Sequence, residues 1–240
     1  MLYSSVNNPK IKELAKLKTK KFRDKQKMFL IEGAHLVKEA YTSGYLKELL
    51  LLEGTDFKLD VQTSYITENV LKLLSNVESP AGIIGVCEFK DMTLKGQKLL
   101  ILDSIQDPGN LGTIIRSSVA FNIDTIIIND RCADIYSDKV IRSSQGMIFK
   151  TNIVKRDLSE FLKEIKGKIP IFGTKVTGGK DLKTLEKISD FAIIMGNEGS
   201  GVDPKLLDLC DEYLYIPMNK NCESLNVGVA TSIILYELTK

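Results

Sequence analysis

Phe191-Ala-Ile-Ile-Met-Gly-Asn-Glu-Gly-Ser-Gly201 is the stretch that decides how this chain folds. Five apolar residues run without a polar break from Phe191 to Met195 and end on Gly196. A run this short and continuous reads as a strand covered on both faces, the environment of a parallel sheet. The glycines that follow let the backbone turn tightly and approach a ligand closely. Outward from this stretch, residues 99–102, 125–128, 170–173 and 213–216 have the same apolar character. Helical spacing fills the intervals over 110–121, 137–145, 158–166 and 203–210, and a last helix is predicted over 225–238. Strands alternating with helices predict an α/β fold built on a parallel sheet, with ligands bound beyond the carboxyl ends of the strands. The loops at those ends are rich in small and polar residues: Asp107-Pro-Gly-Asn110, Gly173-Thr174, 196–201 and 218–226.

The first part of the chain reads as a smaller α/β domain. Residues 10–28 are helical and basic, 29–33 form a strand ending at Gly33, and 34–43 form a helix closed by Gly44. Strands follow at 47–52 and 83–89, with a short helix over 68–76 between them. The polar stretch 90–98 is the expected linker, which divides the chain into domains 1–95 and 96–240.

Composition narrows the chemistry. With 240 residues, 43% hydrophobic and 27% charged, the chain is an ordinary globular sequence. It contains no apolar run of membrane-spanning length, and its start lacks an apolar signal core, so a cytoplasmic protein with no membrane partner is expected. Cys87, Cys132, Cys210 and Cys222 are scattered and His35 is the sole histidine. A Ser-His-Asp hydrolase and a zinc centre are therefore excluded, and no metal is expected. Charge is uneven: residues 1–30 carry eight lysines and Arg23 against Glu13 and Asp24, a net of +7, while the whole chain is only +2. A basic end ahead of a mildly acidic body suits a polyanion, although a solvated lysine-rich helix would look the same.

Three motifs carry candidate chemistry, and each has a bland reading beside it. The loop Gly196–Gly201 is followed by no Gly-Lys-[Ser/Thr] and lacks the dinucleotide spacing, so it is either a cofactor loop of another kind or a plain turn. Arg116 lies in a predicted helix with Gly112, Val119 and Ala120 as its neighbours, a small and apolar face. A guanidinium is costly to bury there alone, so it either pairs with a carboxylate or faces a cleft that takes phosphate. In Ile216-Pro-Met-Asn-Lys-Asn-Cys-Glu-Ser-Leu-Asn-Val227, Ser224 could simply cap the last helix, which would leave Glu223 and Asn226 unexplained.

Taken together, Asp107-Pro-Gly-Asn-Leu-Gly-Thr-Ile-Ile-Arg116, Ile194-Met-Gly-Asn-Glu-Gly-Ser-Gly-Val202 and Ile216-Pro-Met…Glu-Ser-Leu-Asn-Val227…Ile233-Ile-Leu-Tyr-Glu237 resemble, in order, the three motifs of the SpoU (TrmH-like) family of RNA 2′-O-ribose methyltransferases. The resemblance covers residues 98–240. Phe29-Leu-Ile-Glu-Gly33 and Ser79-Pro-Ala-Gly-Ile83 resemble the L30e-like substrate-binding domain often found ahead of that family's catalytic domain. The resemblance implies a SPOUT fold: a parallel sheet whose C-terminal segment threads a loop to make a trefoil knot, an arrangement otherwise nearly absent from proteins. It implies S-adenosyl-L-methionine as cofactor, RNA as partner and a homodimer formed through the methyltransferase domain. Position by position, Thr174, Gly196, Ile216, Met218 and Leu225 would line the cofactor site, while Asn110, Arg116, Glu198, Ser224 and Asn226 would form the catalytic and RNA-facing group. Lys220 and Gln145-Gly-Met147 depart from the family's pattern outside that polar group.

The implied reaction transfers a methyl group from a sulfonium to a ribose hydroxyl, which requires alignment and loss of a proton. Arginine is very hard to deprotonate. Arg116 is therefore expected to hold a phosphate and stabilise developing negative charge, with Glu198 or a water taking the proton. The expected substrate is 23S ribosomal RNA. The alternatives are a tRNA ribose methyltransferase and a non-catalytic RNA-binding or ribosome-assembly protein on the same fold.

Overall fold

The structure, a computed structural model, describes residues 1–240. The first part contains β1 (Leu2–Tyr3), α1 (Pro9–Lys16), α2 (Lys20–Gln26), β2 (Met28–Glu32), α3 (Ala34–Thr42), β3 (Leu46–Leu52), β4 (Gln62–Ile66), α4 (Glu68–Leu74) and β5 (Ile83–Glu88). There follow β6 (Lys98–Leu102), α5 (Pro108–Ala120), β7 (Thr125–Ile128), α6 (Asp138–Ser143), β8 (Ile153–Lys155), α7 (Leu158–Ile165), β9 (Ile171–Thr174), β10 (Lys180–Asp181), β11 (Phe191–Met195), α8 (Pro204–Leu207), β12 (Glu212–Tyr215) and α9 (Val227–Leu238). None of these helices is long and apolar enough to cross a membrane. The chain divides into two compact units, one of residues 1–91 with 136–149, the other of 92–135 with 150–240.

The first unit holds a five-stranded mixed sheet in the order β1-β4-β3-β5-β2, parallel at β1/β4 and β3/β4 and antiparallel at the two pairs made by β5. The single basic helix expected over 10–28 is two helices with a break at 17–19. The break is stabilised locally: the Arg23 guanidinium, 7% exposed, donates to the carbonyls of Leu17 at 2.8 Å and Lys18 at 2.9 Å, groups that an unbroken helix would have bonded internally. Arg23 thus serves the fold. A second correction concerns α6, which by sequence order falls among the elements of the parallel sheet. Residues 136–149 belong instead to the first unit. Tyr136 stacks on Phe29 and Phe89 at centroid separations of 4.7 and 4.0 Å, and Val140, Ile141, Ile148 and Phe149 are buried. Aromatic area of this kind is a large share of a small core, and sequence order carries no information about where it will pack.

The second unit is a seven-stranded sheet, parallel throughout, in the order β10-β12-β9-β11-β6-β7-β8. Every residue of β7 and β11 is buried, which is why both strands are apolar apart from Thr125, whose hydroxyl donates to the Lys95 carbonyl at 2.7 Å. One layer of the core comes from α7, whose Leu158, Phe161, Leu162 and Ile165 cover Leu99, Ile101, Ala192 and Ile194. Full burial of such side chains contributes roughly 1.5–3 kcal/mol each. Elsewhere α5 packs against α9: the Ser117 and Ser232 hydroxyls bond at 2.7 Å, and a Cβ at Gly228 would stand 3.1 Å from the Thr113 methyl. Small residues let these two helices approach, and their approach brings the start of α9 beside the start of α5.

Candidate active site

The carboxyl ends of β9, β11 and β12 open onto a cleft of about 770 Å3. Its walls are the 196–202 loop after β11, residues 214–216 and Met218 at and beyond the end of β12, and the approach to α9 from Ser224 to Val227. Thr174, Gly196, Ile216, Met218 and Leu225 all line it, as do Asn110, Glu198, Ser224 and Asn226. Nine of the ten side chains singled out from sequence therefore meet at one place. Sequence reading missed the apolar part of the lining, Val202, Leu207, Leu214 and Ile234 among others. Those residues looked like ordinary core, and only the arrangement of the strand ends exposes them to the cleft.

Arg116 is the tenth. The side chain is exposed, lines no part of the cleft, and makes no hydrogen bond or ion pair. The small, apolar helix face inferred around it does not bury it. It stands six residues beyond Asn110 on α5, about 9 Å along the helix axis. Of the two readings offered for it, the pair with a carboxylate is not made, and the cleft is not one of its own chain.

The 196–202 loop doubles back on itself. Asn197 and Gly201 exchange backbone hydrogen bonds at 3.0 and 2.9 Å, and the Asn197 Oδ1 accepts from the Gly199 N–H at 2.9 Å. Gly196 is obligatory here, because a Cβ on it would lie 2.1 Å from the backbone of Gly201 and Val202. Asn197 also donates from Nδ2 to the Ser104 carbonyl at 2.8 Å, tying this loop to the loop after β6.

A directed chain of side chains crosses the mouth of the cleft. Asn226, rather than Ser224, caps α9: its Oδ1 accepts from the N–H groups of Gly228 at 2.9 Å and Val229 at 3.3 Å. The first turn of a helix offers only donors, so the amide oxygen must face it and Nδ2 must point away. That Nδ2 donates to Asn110 Oδ1 at 2.8 Å, and Asn110 Nδ2 in turn donates to Glu198 Oε1 at 3.0 Å. The α9 cap thereby sets the orientation of both amides. Glu198 also accepts from the Asp107 N–H at 3.3 Å and, through Oε2, from Asn197 Nδ2 at 3.4 Å. Burial pushes the Glu198 carboxyl up, but hydrogen bonds from Asn110 and from backbone N–H groups outweigh it and hold the pKa below its ordinary 4.5.

Glu198 is consequently a well-solvated anion and a weak base, better suited to fixing Asn110 and the 106–107 backbone than to removing a proton. Its contribution to stability is present above the ordinary carboxyl range and is lost as pH falls through the lowered value. We expect activity to persist below pH 4.5 until the protein itself fails, with no inflection near the ordinary glutamate value; a pH–rate profile paired with an unfolding series checks this.

Comparison with known proteins gives this arrangement its relatives. Residues 97–236 match the SpoU rRNA Methylase family model, and residues 8–85 match the MRM3-like substrate binding domain. A Bacillus subtilis (strain 168) protein, the 23S rRNA (guanosine(2553)-2′-O)-methyltransferase RlmP, is 39% identical over 98% of this chain and 97% of its own length. Among solved structures, an RNA 2′-O ribose methyltransferase superposes with a TM-score of 0.84 at 32% identity, covering 99% of this chain and 98% of that one. An AdoMet-bound rRNA methyltransferase from Sinorhizobium meliloti does so with a TM-score of 0.86 at 26% identity, covering 99% and 97%. A parallel sheet that gathers the three motifs at one cleft, a family match over most of the second unit and relatives spanning nearly the whole chain agree, and the chain belongs to the SpoU rRNA methylase family.

Proposed function

We propose that this RNA 2′-O-ribose methyltransferase modifies a guanosine in 23S ribosomal RNA, as the Bacillus subtilis relative does by name. The observation that carries the reading is the directed chain from Asn226 through Asn110 to Glu198 at the mouth of a cleft sized for a small-molecule methyl donor. At about 770 Å3 the cleft falls within the roughly 300–1,000 Å3 of such sites. Apolar Met195, Leu214 and Ile234 beside the open backbone of the 196–201 loop suit a ligand with both a flat ring and polar ends. S-adenosyl-L-methionine fits these walls, and Thr174, Gly196, Ile216, Met218 and Leu225 would hold it. When bound it supplies an electrophilic methyl group and a neutral thioether leaving group. A C-terminal segment threaded through a loop, the trefoil knot of the SPOUT fold, would explain why residues 196–202 and 216–227 share one cleft.

The protein's own part is alignment and charge. Asn110 and Asn226 are locked by the α9 cap and present fixed polar atoms where the ribose arrives, while Glu198 holds that pair in place. The 2′-hydroxyl proton leaves to bulk water, while Glu198, whose Oε1 is already engaged by Asn110 and the Asp107 N–H, serves as a positioning group. Arg116 would bind the neighbouring phosphate and stabilise charge developing on the hydroxyl oxygen. Because it lies outside the cleft of its own chain, it would serve the partner's cleft in a homodimer. An exposed apolar stripe on α9, Val229 at 47%, Ile233 at 37% and Tyr236 at 60%, supports such a pairing beside α5. Arg116→Ala and Glu198→Ala proteins, each inactive alone, should then regain about a quarter of wild-type activity when mixed and allowed to exchange subunits; no recovery means that Arg116 acts in cis.

Residues 1–95 would hold the RNA and 96–240 would carry out the transfer. Not every lysine in the basic stretch is available for this. Lys10 pairs with the buried Glu48 at 2.6 Å and Lys18 donates to the Ser75 carbonyl at 2.6 Å, whereas Lys12, Lys20, Lys21 and Lys25 are exposed and carry no such bond. Replacing these four with glutamine should lower the salt slope of RNA binding by about three to four counterions, measured by titration at several salt concentrations. The test of the function is methyl transfer from labelled S-adenosylmethionine to unmodified 23S RNA and to tRNA. Alkali-resistant label in 23S RNA, absent with Arg116→Ala, is expected. Label in tRNA alone would move the substrate, and a protein that binds RNA without transfer would be an assembly factor.

A further inference from the structure

A second cleft, of about 410 Å3, shares Asn197 and Ser200 with the cofactor cleft, so that one loop forms a wall of each. Its other walls include Asp103, Gln106, Arg131, Asp203 and Pro204. Asp103 is only 3% exposed and fully engaged: Oδ1 accepts from Ser104 Oγ at 2.9 Å and Asn129 Nδ2 at 3.0 Å, and Oδ2 from the Asp203 N–H at 2.9 Å. It forms a rigid floor and joins the loops after β6, β7 and β11. Above it three groups are unspent. The Arg131 guanidinium stands 3.8 Å from Asp103 Oδ1, beyond hydrogen-bonding distance, with its side chain 66% exposed. Asp203 uses Oδ1 to cap α8 through the Lys205 N–H at 2.9 Å, and its Oδ2 meets no protein donor. The Gln106 amide is exposed and unbonded.

The charges at this cleft decide what it can take. Two carboxylates and one guanidinium leave it net negative, which disfavours phosphate. An unpaired carboxylate oxygen beside a cation and a neutral amide calls for a neutral group with adjacent N–H donors and a nearby acceptor. Among the nucleobases guanine alone offers that edge, with N1–H and the 2-amino group side by side and O6 next to them; adenine and cytosine present an acceptor at the central position, and uracil presents one donor between two acceptors. Pro204 supplies an apolar surface for the ring face. Enzymes that act on one nucleotide of a folded RNA commonly draw its base into such a pocket and read its Watson–Crick edge.

We propose that this cleft is the specificity pocket for the target base: it takes guanine, with Asp203 accepting from N1–H and the 2-amino group and Arg131 donating to O6. The ribose of that nucleotide then lies over the shared wall, beside Glu198 and Asn110 and facing the methyl donor. The inference rests on the ribose-methylation reading above.

The test is methyl transfer to an unmodified 23S RNA fragment whose target position carries guanosine, inosine (no 2-amino group) or 6-thioguanosine (N1–H and 2-amino group kept, the weakly accepting sulfur in place of O6). Wild type should prefer guanosine to either analogue by at least tenfold in kcat/KM. Asp203→Asn retains a side chain able to cap α8, and it should abolish the preference over inosine while keeping that over 6-thioguanosine. Arg131→Gln should do the reverse. A loss in either variant that is equal for all three RNAs, or a wild type indifferent to the base, would overturn the proposal while leaving ribose methylation intact. Absence of transfer to guanosine RNA by the wild type overturns the function reading, and this inference with it.

Discussion

Replacing Gly196 with alanine will leave the protein folded and reduce methyl transfer by a factor of about 10² or more. The added methyl would sit 2.1 Å from the carbonyl carbon of Gly201 and the nitrogen of Val202. Both are backbone atoms, so no side chain can rotate away, and the loop must open by an ångström or more. Opening breaks the paired hydrogen bonds between Asn197 and Gly201 and shifts the Asn197 amide from the Ser104 carbonyl. One wall of each cleft then moves, Glu198 moves with it, and the alignment on which transfer depends is lost. Cofactor affinity, read by calorimetry, should fall together with the rate, while the far-ultraviolet spectrum stays that of the wild type. Gly199→Ala is the control: its Cβ would meet only Asn197 Oδ1, at an ordinary 3.6 Å, and it should behave as wild type. Equal losses in both variants would mean that the loop tolerates no side chain anywhere and that Gly196 has no special place in it.

The second large effect is expected from Asn226→Asp, a change of a single amide to a carboxyl. The helix cap survives, since aspartate caps as well as asparagine and its charge suits a helix N-terminus. Stability should therefore change by no more than about 0.5 kcal/mol. The damage is to direction. The Asn226 Nδ2 that donates to Asn110 Oδ1 at 2.8 Å is replaced by an oxygen, so two acceptors face each other. If Asn110 turns over to restore that bond, its oxygen meets the Glu198 carboxylate, which now receives its Nδ2 at 3.0 Å. One contact in the chain must be repulsive whichever way Asn110 points. Activity at neutral pH should fall by about 10² and recover partly on acidification, as the introduced carboxyl takes up a proton and becomes a donor again. A variant whose loss is independent of pH would show that Asn226 acts only as a cap, and Asn226→Ala, which removes the cap itself at a cost of about 1 kcal/mol, separates the two roles.

How much of this was legible in the residues differs from element to element. The apolar runs of β6, β7 and β11 declare strands buried on both faces, because a parallel sheet covered by helices has no wet side to mark with polar residues. The glycines of the loop after β11 leave a cofactor loop and a plain turn equally open, and it is the order of the three motifs that points to the family. The short strands β8 and β10 carry no comparable pattern: three residues and two residues are too few for a period to register. Sequence order also misleads over α6, whose apolar face is filled by the first unit and its aromatic cluster. Local spacing tells which residues seek cover and says nothing of which surface provides it.

The site divides in the same way. Asn110, Glu198, Ser224 and Asn226 could be named from their motifs, but not that Asn226 is the helix cap, nor that the cap sets the direction of every hydrogen bond as far as Glu198. That direction exists only once the start of α9 lies beside the start of α5, an approach made possible by Gly228, Ser117 and Ser232, residues no motif distinguishes. Arg116, expected either to pair with a carboxylate or to face a cleft, does neither within its own chain and stands exposed, because the helix period fixes its neighbours on α5 while the packing of α5 fixes which side meets solvent. The residues of the second cleft, Asp103, Arg131 and Asp203, lie in three separate loops a hundred positions apart at the extremes. Residue type and spacing marked most of the strands and helices, and the resemblance of three motifs marked the family; the convergence of loops at one end of a parallel sheet, a property of the assembled strands, made two clefts out of them.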